Sequence, residues 1–150
     1  MARYKETDKS RRTAKIIQGV CIFAVIVFVD ILRRGIALVT PWDSGTLNLL
    51  TGVLAGVGLV DLAASYLVPQ WMIKGYRQKP WLDKGRFLIS VYIIRAGLLE
   101  SVAIYGLVLG ILGVRVEFVL PFIIVSVGGL FITFPTDEKW KGMTATINRR

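Results

Sequence analysis

Four ionisable side chains fall inside otherwise apolar stretches of this sequence: Asp30, Asp61, Arg95 and Glu100. Such residues are costly to hold in hydrocarbon and mark ion paths, proton relays or buried pairs. Glu100 has Ala96, Gly97, Ala103 and Ile104 as its neighbours at helical spacings of three and four. Among small and apolar groups the uncharged carboxyl is favoured over the carboxylate. A group of that kind can take up and release a proton or coordinate a small cation. Asp61 and Arg95 lie at equal distances from Pro69 and Phe87, the residues that close one apolar stretch and open the next. At equal depth they can form a structural ion pair; the competing reading has Arg95 snorkelling to the headgroups. Asp30 precedes Arg33 by three residues on the same face and reads as an interfacial pair.

Other chemistry is excluded by what the chain lacks. It has no histidine and one cysteine, Cys21, within an apolar run. That removes an intrachain disulfide, a His or Cys zinc site and any His-based triad. Isolated carboxylates without a nucleophile and base give no reason to expect an enzyme, a cofactor or a metal.

The elements that must position these residues are helices. Of 150 residues, 54% are hydrophobic and 19% charged, a balance that points to a membrane protein. Apolar stretches run over 16–32, 46–68, 87–114 and 116–134, each long enough to cross a hydrocarbon core of about 30 Å as a helix. None alternates polar and apolar residues as a barrel strand does. The expectation is an all-α bundle of four transmembrane helices over 16–134, with a basic tail over 1–15 and a second tail over 135–150. The basic run before the first stretch is followed by Asp30-Ile-Leu-Arg33-Arg34 and not by a small-residue cleavage site, so an uncleaved anchor is expected.

Fifteen of the nineteen Lys and Arg fall in the first tail, the connector between the second and third spans, and the last tail. By the positive-inside rule both termini are cytoplasmic, as in a bacterial inner membrane. The net charge of +9 is then mostly topology, and nucleic acid is not an expected partner. Trp42, Trp71, Trp81 and Trp140 fall where an interfacial belt sits, and Pro41, Pro69, Pro80 and Pro135 punctuate the spans.

Small residues recur on both central spans. The second carries Gly52, Gly56 and Gly58, the third Gly106 and Gly110. Both contain GxxxG spacing, which lets membrane helices approach closely.

The same central region resembles the hairpin of the proteolipid c subunits of rotary ATP synthases. A glycine-rich span, a loop with Arg77-Gln78-Lys79-Pro80, and a span reading Leu98-Leu-Glu100-Ser-Val-Ala103-Ile-Tyr105-Gly106-Leu-Val-Leu carry the likeness over about 46–113. The resemblance implies that Glu100 is the carboxylate that binds a proton or sodium ion. It also implies that Gly52, Gly56 and Gly58 lie on the inner helix, and that Arg77, Gln78 and Pro80 form the stalk-facing turn. Lys79 interrupts the loop motif, Asp61 and Arg95 add charges, and the outer spans have no counterpart. The whole chain looks like a small bacterial four-span membrane protein. Two readings follow: an accessory or scaffold subunit that packs membrane helices, its own or another subunit's, through glycine faces; or a c-like, homo-oligomeric ion-translocating subunit.

Overall fold

In the computed structural model the described residues, 2–34, 43–76 and 83–148, form five helices and no strand. These are α1 (Ala2–Arg33), α2 (Ser44–Tyr76), α3 (Lys84–Ile111), α4 (Val116–Thr133) and α5 (Asp137–Asn148). Among them, α1 to α4 are long and apolar enough to cross a membrane. Trp42, Trp81, Pro41, the loop carrying Arg77, Gln78, Lys79 and Pro80, and Arg149 and Arg150 lie outside the described residues.

Local signals set the helix ends. The Asp43 carboxylate accepts from the Gly45 and Thr46 amides at 2.8 and 3.2 Å, capping α2, and Asp83 accepts from the Gly85 amide at 2.8 Å, capping α3. Hydrogen bonds from Thr46 and its neighbouring amides hold the Asp43 carboxyl below the usual carboxylate range. Between α3 and α4, Gly113 takes φ +84. The Gly113 amide donates to Gly110 O and the Val114 amide to Leu109 O, the Schellman arrangement that only glycine enters without strain.

Two boundaries differ from the sequence reading. Residues from Ala2 onward are helical, so most of the basic tail is the first half of α1. Helix α2 runs through Pro69 to Tyr76 and does not stop at Val68. A single proline removes one donor, a loss that membrane helices absorb. Beyond it, Tyr76 stacks on Phe87 with ring centroids 4.3 Å apart, which packs the last turns of α2 onto α3.

Helix α3 is the centre of the bundle, packed against α1, α2 and α4, while α1 and α4 also touch. The main core joins Val25, Ala96, Leu99, Ala103, Leu109, Val119, Ile123 and Leu130. Glycines bring the axes together: a Cβ at Gly106 would sit 2.9 Å from Phe122 Cβ, and one at Gly129 would sit 2.6 Å from Leu99. At Gly110 a Cβ would overlap Leu32.

A second core lies at the end that carries α5. Ala14, Tyr76, Leu88, Tyr92, Trp140 and Ile147 pack there. Helix α5 folds back beneath the bundle, where Asp137 pairs with Arg11 at 2.7 Å and Lys15 at 3.3 Å. Trp140 is therefore buried and stacked on Tyr92 at 5.6 Å, whereas Trp71 is exposed.

Candidate functional site

The intramembrane charges distribute over three places on α3. Asp61, on α2, accepts hydrogen bonds from Ser101 Oγ at 2.6 Å and Tyr105 Oη at 2.8 Å, both through Oδ2. Ser101 and Tyr105 are four apart on α3, so one face supplies both donors.

Arg95 lies elsewhere. Its guanidinium carbon stands 5.0 Å from the centre of the Tyr66 ring, a cation–π contact. Among the described residues no carboxylate lies within 4.0 Å of it, and its Nε is buried without a hydrogen-bond partner. The expected Asp61–Arg95 pair does not form, and the reason is register. Because α2 ends at Tyr76 and α3 begins at Lys84, Asp61 comes level with Ser101, and Tyr66 with Arg95. Counting from Pro69 and Phe87 puts Asp61 level with Arg95 instead, six residues or about 9 Å short of Ser101 along α3. Arg95 is partly buried at this contact.

Glu100 sits beside the Cys21 thiol of α1. Its helical neighbours Ala96 and Ala103 are buried in the seam between α1 and α3, whereas Gly97 and Ile104 face outward. Glu100 itself is partly buried, at the edge of this seam. Among the described residues no cation lies within 4.0 Å of its carboxylate. Cys21 was read as a small apolar residue; an α1–α3 seam was the information needed to connect it with Glu100.

The glycines separate into two sets. Gly58 faces Tyr105 and Phe122 at van der Waals distance, and Gly106 and Gly110 are close-packed. Gly52 and Gly56 have open space where a side chain would be. Gly56 and Gly58 are two residues apart, hence about 160° apart around the helix, so only one can meet α3.

Sequence reasoning missed Gln18. It is 2% exposed in the middle of α1, and its Nε2 donates to Leu130 O at 2.6 Å and Thr133 Oγ1 at 2.8 Å on α4. An amide within an apolar run seeks such a partner across helices, and its polarity was the available signal. Asp30 pairs with Arg34 at 2.8 Å, one residue beyond the expected Arg33. Among the described residues no three His, Cys, Asp or Glu side chains gather as metal ligands.

Comparison with protein-family models, with curated proteins and with solved structures finds no match to this chain.

Proposed function

We propose that this protein is a small integral membrane subunit that acts as a scaffold, holding a partner membrane helix against the outward glycine face of α2, with both termini cytoplasmic in a bacterial inner membrane. The contrast between the two glycine sets carries this reading. Gly58, Gly106, Gly110 and Gly129 are used inside the bundle, whereas a Cβ on the exposed Gly52 or Gly56 would meet nothing within 4 Å. A glycine inside a helix costs about 1 kcal/mol relative to alanine. Two of them four residues apart suit a second helix that must come close. The partner is a membrane helix with a small-residue face of its own, from a second copy or another subunit.

The test replaces both glycines, Gly52→Leu with Gly56→Leu, and measures mass in mild detergent after gentle extraction. The complex is expected to fall to the single chain while the unfolding midpoint of that chain is kept. An unchanged complex would remove the scaffold reading.

A second reading, a c-like subunit exchanging a proton or sodium ion at Glu100, draws support from the position of that carboxyl. It has no cation beside it among the described residues and stands at the edge of the α1–α3 seam. A hydrophobic carbodiimide should then label Glu100, more slowly at high pH or with sodium present. Absence of labelling across a wide pH range rules it out, as does unchanged ion flux in Glu100→Gln proteoliposomes.

A further inference from the structure

We infer that the lipid bilayer meets this protein along a belt that stops at the level of Arg95, and that the second core stands beyond it, in water, as a folded module on the basic side. The large exposed apolar side chains draw the belt. Toward the basic end they stop at Ile16 on α1, Leu67 on α2, Ile93 on α3 and Ile132 on α4, with Trp71 one turn past Leu67. Toward the other end they stop at Val29, Leu49, Val108 and Val116. The two edges are 13 to 18 residues apart on each helix, about 20–27 Å, close to the roughly 30 Å of a hydrocarbon core.

Contacts between helices put the four basic-side edges at one level. Gln18, two residues past Ile16, donates to Thr133, the residue after Ile132. Arg95 and Tyr66, which touch each other, lie beside Ile94 and Leu67. Helices α1 and α3 run in the same direction, with Cys21 beside Glu100 and Leu32 against Gly110. Ile16 and Arg95 each come five residues before the first of these pairs, so α1 and α4 share their edge with α2 and α3.

This level also divides the two cores. Every buried member of the main core, from Val25 and Ala96 to Leu130, lies on the belt side of it. Ala14, Tyr76, Leu88, Tyr92, Trp140 and Ile147 all lie beyond it. Trp71 excepted, the described side chains exposed beyond the edge are polar, charged or small, among them Lys9, Arg12, Lys74, Lys84, Arg86 and Lys139. Hydrocarbon around those cations would be costly, as would water around the belt. Trp71 fits the headgroup layer between them.

Residues 87–93, which the sequence assigns to the third span, therefore lie outside the bilayer, whereas Asp61 and Glu100 stay within it. Arg95 stands at the edge, where a guanidinium reaches headgroups and water and needs no carboxylate. The placement is independent of the glycine-face and Glu100 readings, and it adds a water-facing surface built from α1, α2, α3 and α5.

Ser90→Cys or Ile104→Cys is introduced into a Cys21→Ser chain, reconstituted in phosphatidylcholine liposomes permeabilised with alamethicin, and treated with a charged maleimide. The Ser90→Cys thiol should react at least about tenfold faster than the Ile104→Cys thiol, because only the ionised thiol reacts and hydrocarbon suppresses ionisation. Arg86→Cys and Val108→Cys serve where either variant does not fold. Equally slow reaction puts the first turns of α3 in hydrocarbon and overturns the inference; equally fast reaction leaves the belt without lipid and overturns it too. For the folded module, a Cβ at Gly85 would lie 3.4 Å from Ser10 Cβ, near the spacing of a disulfide. Ser10→Cys with Gly85→Cys should therefore close on oxidation in the same liposomes. Fast reaction at Ser90→Cys without that closure would leave these turns in water unpacked and overturn the module.

Discussion

Helices α2 and α4 are both apolar and both pack on α3, yet they differ in how far they enter the bundle. Of the apolar window of α4, 39% is buried, against 6% for α2. Helix α4 packs on α3 and also touches α1, with Gly129 receiving Leu99 and Ser126 wholly enclosed. Helix α2 leans on α3 along one narrow stripe, through Gly58, Ser65 and Pro69, and leaves Leu49, Leu59, Val60 and Leu67 exposed. Both are apolar enough to cross a membrane, α4 the more so, yet an apolar surface serves a core in one helix and stays largely exposed in the other, so the role of such a helix is set by its neighbours.

Glycine substitutions put the contrast to its strongest test. Gly106→Leu forces a side chain toward Phe122 Cβ and the Val119 carbonyl and is expected to cost about 3 kcal/mol in dodecyl sulfate unfolding from mixed micelles. Gly56→Leu, facing open space, should stay within about 0.5 kcal/mol of the wild type in the same assay. Equal costs would mean that α2 is as enclosed as α4.

The polar tie that holds α2 to α3 is the next point to break. Asp61→Leu removes the acceptor for Ser101 and Tyr105, and a loss of about 1–2 kcal/mol is expected, near the upper end for interhelical hydrogen bonds in membranes. A double-mutant cycle with Tyr105→Phe should show non-additive losses; strict additivity would assign the stability to other contacts. For the link between α3 and α4, Gly113→Ala places a Cβ at positive φ and should cost about 1 kcal/mol, read as a lowered unfolding midpoint.

The smallest effect belongs to the tether of α5. Asp137 is exposed, and the hydrogen bond from Lys15, with the charges of Arg11 and Lys15, holds its carboxyl below the usual carboxylate range. A depressed native pKa contributes stability that is complete above the unfolded value, near 3.9. It is lost as the pH falls through the native value. Tryptophan fluorescence of the wild type should therefore hold steady from neutral pH down to the carboxylate range and change below it as Trp140 is released. Asp137→Asn should remove that acid-dependent component of the change.

Much of the fold was legible in the residues. Four long apolar runs are local signals, and each led to a helix; the caps at Asp43 and Asp83 and the turn at Gly113 were equally local but were passed over. Pro69 misled because proline stops helices in water more strictly than in a bundle, and the Asp61–Arg95 alignment counted from it was displaced by about 9 Å. Helix α5 escaped notice because its twelve residues are largely polar and gain their partners only where Trp140 meets Tyr92. Gln18 was passed over for the same kind of reason, its acceptors lying on α4 more than a hundred residues away.

By itself, then, the sequence determined the number of long apolar helices, their approximate spans, the basic end, and the presence of charges within the apolar layer. These follow from periods and compositions within about twenty residues, the length that crosses a membrane. Tertiary structure decided that Asp61 belongs to Ser101 and Tyr105, that Arg95 stands over Tyr66, and that Glu100 lies beside Cys21. It also decided which glycines are filled and which are open. The physical reason is that register and rotation between helices depend on the whole interlocked surface of α3. A shift of one turn exchanges every partner along a seam.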